Sequence, residues 1–98
     1  MTLDLFKTTL VDDAPPPEID QALLALWLEA RGNWDEAHKI IQNMNGRSVA
    51  WAHAYLHRKE GDLTNAAYWY SHASRNISEL SLACEWEEIA KAFLPRTK

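Results

Sequence analysis

The sequence predicts an all-α domain built from two antiparallel helical hairpins and a C-terminal capping helix. Apolar residues recur at helical spacing in each segment after residue 17, and no segment alternates polar and apolar residues between turn signals. Gly32 and Gly61 lie at equivalent places in two copies of one hairpin pattern. Such internal repetition is typical of stacked helical units. Apolar residues form 47% of the chain and charged residues 24%, which favours a folded domain over disorder.

Residues 1–17 are predicted to form an N-terminal arm with a proline-rich linker. Pro15–Pro17 favour polyproline II and cannot continue a helix. The arm also carries large apolar side chains, so we expect it to lie across its own domain or across a neighbouring subunit.

The first hairpin is predicted between residue 18 and Gly46. Its first helix begins near Glu18, where acidic side chains favour the positive end of a helix, and ends at Gly32. The second helix follows at once, with Asn33 as its N-cap and Glu36 completing a capping box.

The second hairpin is predicted between Ser48 and Ala73. Ser48 is the expected N-cap of a helix that ends at Gly61, and Asp62 is the expected N-cap of the next.

The capping helix is predicted to begin between Asn76 and Ser78 and to end at Pro95, so that the helical domain spans 18–94 and the tail 95–98. Its acidic residues are expected on a solvated face: Glu85, Glu87 and Glu88. Its apolar stripe has the spacing i, i+4, i+7, i+11: Leu82, Trp86, Ile89 and Phe93.

Residues 21–73 resemble tetratricopeptide repeats, in which a Leu, a small residue, an aromatic residue, an Ala and a Phe are spaced along each two-helix unit. In the first copy these positions hold Leu24, Ala25, Leu28, Ala37 and Ile41. In the second copy they hold His53, Ala54, His57, Ala66 and Tyr70. The resemblance implies close helix contact at the alanines, turns at the two glycines and a role in protein–protein interaction. Residues 53–70 also resemble a segment of small bacterial proteins, a likeness that implies no function.

Two histidines of the third helix, His53 and His57, are four residues apart and therefore share one face. In the repeat register they pack inside the hairpin, so they are expected to be buried, hydrogen-bonded core residues. The alternative is a metal site, with His72 on the fourth helix as the third ligand and a metal-dependent activity as its consequence.

The resemblance also implies a partner-binding face, because the first helix of each tetratricopeptide unit lines a concave surface. On the third helix that face holds Trp51, Tyr55, Arg58 and Lys59. Aromatic rings beside two cations suit an acidic, extended segment of another protein. The alternative is that Trp51 and Tyr55 pack as ordinary core residues.

Charge and composition argue against several other classes of function. A net charge of −4 argues against general nucleic-acid binding. No apolar run approaches the ~20 residues of a membrane span. Cys84 is the only cysteine, and the N-terminus does not show the pattern of a secretory signal, so a cytoplasmic location is expected.

The sequence therefore predicts a non-enzymatic protein–protein interaction module without a cofactor. A domain of two and a half repeats leaves apolar ends, so we also expect a homodimer. The surfaces predicted for that contact are Trp86 and Phe93 of the capping helix and Leu5 and Phe6 of the arm.

Overall fold

The computed structural model describes residues 1–94, and every regular element in this range is helical. The all-α prediction is confirmed. The predicted helix end at Pro95 and the tail 95–98 lie outside the described residues. The elements are α1 (Leu3–Thr8), a 3-10 turn (Thr9–Val11), α2 (Gln21–Ala30), α3 (Trp34–Gln42), α4 (Arg47–Glu60), α5 (Leu63–His72) and α6 (Leu82–Phe93).

The two predicted hairpins are present, since α2 packs against α3 and α4 packs against α5. Both turns have the same geometry. Gly32 and Gly61 each have φ of +89°, the left-handed conformation that glycine adopts without steric cost. In each turn the next residue donates a 2.9 Å hydrogen bond back to the carbonyl five residues earlier, Asn33 to Leu28 and Asp62 to His57. This is a Schellman-type helix end, so the repeat in the sequence is a repeat of turn geometry.

The four alanines of the repeated pattern are buried. A side chain of one carbon allows two helix backbones to approach closely, and any larger side chain would push them apart. These residues are Ala25, Ala37, Ala54 and Ala66.

Helix α4 lies at the centre of the domain. Every residue from Val49 to His57 is buried, because α4 packs against α3, α5 and α6. Helix α6 packs against both α4 and α2, the first helices of the two hairpins. No helix among residues 1–94 combines the length and the apolar character needed to cross a bilayer.

The N-terminal arm contains one more helix than the sequence predicted, and it packs on its own domain. Phe6 is fully buried, and its ring stacks on that of Trp86 with centroids 5.7 Å apart. Trp27 Nε1 donates to the carbonyl of Thr9 at 3.2 Å, and the Arg31 guanidinium donates to two further arm carbonyls. Two of the residues predicted for a dimer contact, Phe6 and Trp86, are therefore buried within the chain.

Several predicted helix starts were wrong because another residue caps the helix. Helix α2 begins at Gln21 rather than near Glu18: Glu18 has φ of +59°, and Asp20 accepts a hydrogen bond from the amide of Ala22 at 2.9 Å. Helix α6 begins four to six residues later than predicted, because the Ser81 hydroxyl caps it.

Of the other predicted N-caps, one is confirmed and two are not. Asp62 accepts from the amide of Asn65, as predicted for α5. Helix α4, however, begins at Arg47 after Gly46, and Asn33 makes no side-chain capping bond at α3, so the predicted capping box is not formed.

Candidate metal centre

Three histidine rings meet where the first hairpin packs against the second. One ring nitrogen from each of His38, His53 and His57 lies within 4.8 Å of the other two. His53 and His57 come from successive turns of α4, as the sequence predicted, and His38 comes from α3. The Nε2 atoms of His38 and His53 are 3.1 Å apart.

Two tryptophans hold these rings in place. Trp34 and His38 are four residues apart on α3, so their rings stack, with centroids 4.9 Å apart and planes 7° from parallel. The Trp34 Nε1 atom also donates to the carbonyl of Leu56 on α4 at 2.7 Å, which fixes this face of α3 against α4. On the other side, Trp69 of α5 stacks on His53 with centroids 3.9 Å apart.

A carboxylate orients the third ring. The Nδ1 atom of His57 lies 2.6 Å from Oε2 of Glu60, one turn further along α4. An ionised carboxylate only accepts hydrogen bonds, so Nδ1 carries the proton. Nε2 is then the ring nitrogen of His57 that Glu60 leaves free.

Burial keeps the first two rings uncharged. Desolvation, followed by the neighbouring His38 and His57, lowers the pKa of His53 to about 4. Desolvation likewise lowers the pKa of His38, with a further contribution from His57. At neutral pH both rings therefore have a nitrogen lone pair available, which is the form that binds metal ions.

His72, the third ligand proposed from the sequence, lies outside this cluster. Its ring is on the exposed side of α5 against Tyr68, with centroids 4.4 Å apart, and it shares a surface cavity of about 390 Å³ with His53. His38 was not predicted because it belongs to the other hairpin. The available signal was its spacing of four residues from Trp34, which places both on the face of α3 that packs on α4.

The face predicted to bind a partner meets carboxylates of the same chain. Trp51 is buried, and its Nε1 atom donates to Oε2 of Glu85 at 3.0 Å. Arg58 Nη1 donates to Oε1 of the same carboxylate at 2.8 Å. Tyr70 of α5 donates to it as well, at 2.5 Å. Glu85 is fully buried, so its predicted place on a solvated face was wrong: the position on α6 turns toward three donors on α4 and α5.

A second carboxylate pairs with the rest of this face. Lys59 forms an ion pair with Glu29 of α2, which is also buried, and the buried Tyr55 hydroxyl lies 3.4 Å from the same carboxylate. Burial, and then Glu29, raises the pKa of Tyr55, so this residue stays a neutral donor. The rings and cations predicted for an acidic partner therefore have acidic partners on α2 and α6.

Comparison of the chain with protein families, curated proteins and solved structures found no match. The likeness to tetratricopeptide repeats thus rests on the spacing of the motif residues alone, and function has to be inferred from the site.

Proposed function

We propose that this chain binds a divalent transition-metal ion, with Zn²⁺ as the reference ion, through His38, His53 and His57. The observation that supports this most directly is the convergence of three ring nitrogens within 4.8 Å. Three imidazoles and no thiolate favour Zn²⁺, Cu²⁺, Ni²⁺ or Co²⁺ over Mg²⁺ and Ca²⁺, which prefer oxygen ligands.

The spacing is close to that of a tetrahedral ion. Zinc–nitrogen bonds of about 2.0–2.1 Å at tetrahedral angles place ligand nitrogens about 3.3 Å apart. The His38–His53 separation of 3.1 Å already meets this requirement. The other two separations are at most 4.8 Å, so they would have to shorten by up to about 1.5 Å for all three nitrogens to bind one ion.

Glu60 accepts a hydrogen bond from the His57 ring, a contact that metal-binding histidines commonly make with a carboxylate. A carboxylate that accepts from the second ring nitrogen fixes the tautomer and raises the basicity of the ligand, and losing it costs about 10–100-fold in metal affinity. The bond from His57 Nδ1 to Glu60 fits that role. We therefore expect Glu60→Gln to weaken zinc binding without abolishing it.

The competing explanation is a purely structural cluster, in which one Nε2–H of the His38–His53 pair donates to the other nitrogen and no ion binds. Isothermal titration with Zn²⁺, on protein purified without an affinity tag, separates the two. We expect one ion per chain, with His38→Gln and His53→Gln each weakening binding at least 100-fold while circular dichroism confirms that the variants fold.

His72→Gln is the matched control, because His72 lies near the cluster but outside it, and it should bind as the wild type does. Absence of saturable binding in the wild type would refute the proposal. So would equal losses in the His38 and His72 variants, since binding would then reflect scattered surface histidines.

A second candidate function is protein–protein interaction, favoured by large apolar side chains that the chain leaves exposed on α5 and on the segment that follows it. They are Leu63, Tyr68, Ile77 and Leu80. A test has to leave Arg58 and Lys59 unchanged, because both pair with buried carboxylates. Tyr68→Ser and Ile77→Ser are the better variants, and loss of a co-purifying protein from the native host would support this role.

Self-association belongs to this second candidate. Of the residues predicted for a two-fold contact, Leu5 remains 57% exposed, whereas Phe6 and Trp86 are covered by each other. Light scattering after gel filtration should give twice the chain mass if a dimer forms, and Leu5→Ser should then reduce it to the mass of one chain.

A further inference from the structure

We propose that the bound ion acts as a clasp between the two hairpins, so that metal occupancy sets how tightly α3 is held against α4. This inference rests on the metal binding proposed above. It concerns what the ion does to the fold, beyond the fact that it binds.

The ligands lie on both sides of the boundary between the hairpins. His38 belongs to α3, and His53 and His57 belong to α4. An ion bound to all three joins the second helix of one hairpin to the first helix of the next. Helices α5 and α6 supply no nitrogen to the cluster, so the ion acts directly on the contact between α3 and α4.

Helix α3 is the weakly held member of this pair. Only Ala37 and Ile41 of its nine residues are buried, whereas nine residues of α4 are. Asp35, Glu36 and Lys39 point into solvent. Segments with few buried side chains open locally at a lower free energy than the rest of a domain.

Two polar contacts hold this face of α3 against α4 when no ion is bound. One is the bond from the Trp34 indole to the carbonyl of Leu56, and the other is the 3.1 Å contact between His38 and His53. The ion replaces the second with a bond from each ring to one centre. Opening α3 then requires His38 to leave the metal, which reduces a three-ligand site to the weaker pair on α4.

The expected size of the effect follows from linkage. An ion that binds the closed form and not the open one reduces the population of the open form by a factor of about 1 + [L]/Kd, roughly 100-fold at a free-ion concentration of 100 Kd. Residual binding to the open form, through His53 and His57, lowers this factor. A slowing of 10- to 100-fold is therefore expected for amides that exchange through opening of α3.

Hydrogen–deuterium exchange on the full-length protein tests the clasp. Peptides covering residues 34–42 are compared with peptides covering 82–93, with saturating Zn²⁺ and with a chelator. We expect zinc to slow exchange in α3 by 10- to 100-fold and to leave α6 within two-fold of its metal-free rate. His38→Gln should abolish the slowing in α3, and His72→Gln should keep it.

The outcomes separate the two proposals. Zinc binding that depends on His38 without a change in α3 exchange would overturn the clasp and leave the metal site standing. Equal slowing in α3 and α6 would also overturn it, because the ion would then stabilise the whole fold. If the wild type binds no zinc, the proposed function fails and the clasp fails with it.

Discussion

Replacing Glu85 tests the buried carboxylate that joins α4, α5 and α6. Glu85→Ala should destabilise the domain by about 3–5 kcal/mol, the range found when one partner of a buried ion pair is removed. The carboxylate accepts hydrogen bonds from Trp51, Tyr70 and Arg58, at 3.0, 2.5 and 2.8 Å. The loss of stability is compared with that caused by replacing an exposed glutamate of the same helix, Glu88.

The magnitude follows from what the three donors lose. Trp51 and Tyr70 are buried, so their N–H and O–H groups are left without an acceptor at about 1–3 kcal/mol each. The side chain of Arg58 is 19% exposed and can recover part of its hydration, so it adds less. Domains of this size have unfolding free energies of about 5–15 kcal/mol, so Glu85→Ala removes a large share of the total.

Urea unfolding followed by tryptophan fluorescence and by circular dichroism gives the free energy of unfolding directly. Glu88→Ala is the matched control, because Glu88 is exposed and, among residues 1–94, pairs with Lys91 one turn away. Such surface pairs contribute about 0–1 kcal/mol. Glu85→Gln should fall between the two, since its carbonyl still accepts while its amide faces Arg58. A loss below 1 kcal/mol for Glu85→Ala would show that the three donors find other partners and would refute the reasoning.

Three further predictions concern the histidine cluster, the arm and a helix end. Because His53 in the folded chain stays neutral until its pKa of about 4, the unfolded chain binds more protons between pH 6.5 and 4. The free energy of unfolding should therefore fall as the pH falls through that range, by at most about 3 kcal/mol at about 1.4 kcal/mol per pH unit, and His53→Phe should remove this part of the urea-midpoint change. Phe6→Ala should cost about 3–5 kcal/mol in urea unfolding and Leu5→Ala less than about 0.5, because only Phe6 is buried; similar costs would show that the arm does not pack on the domain. Ser74 has φ of +58°, so Ser74→Gly should stabilise the domain by about 1 kcal/mol and raise its melting temperature. Gly61→Ala should lower the melting temperature, because alanine is strained at φ of +89°. The opposite signs would contradict the left-handed conformation at both sites.

The features predicted correctly from the sequence are set by neighbouring residues. The hairpin turns depend on Gly32 and Gly61 and on the residues within five positions of each, and the apolar stripes on both sides have helical spacing. The cap at Asp62 is also local, since its partner Asn65 is three residues away. These signals lie within one helix or one turn, so a single sequence is sufficient to find them.

The features that were missed depend on residues far apart in the chain. Glu85 was placed on a solvated face because Glu87 and Glu88 beside it are polar. Its three donors are 15 to 34 residues away, and nothing in the helical period of α6 identifies them. His38 is 15 residues from His53 and becomes a neighbour only when α3 packs on α4. The contact between Phe6 and Trp86 spans nearly the whole chain.

Helix α4 carries both the residues predicted to bind a partner and the two histidines, and the sequence alone did not show what each set contacts. It is buried all round, so polar side chains on either side of it have to find partners inside the domain. Toward α2 and α6 it presents aromatic donors and two cations, which meet Glu29 and Glu85. Toward α3 it presents two imidazoles, which meet a third imidazole, and carboxylate oxygens of Glu60 and Asp62 lie within 4.8 Å of a ring nitrogen of His57.

The two sides of α4 differ in whether their polar side chains already have partners within the chain. On the first side each cation already has an anion, and its aromatic rings are buried. On the second side three ring nitrogens converge within 4.8 Å of one another, and burial lowers the pKa values of two of the rings. The occupant that we propose for this second side is a cation that prefers nitrogen ligands, so the histidines are the first residues to test for function.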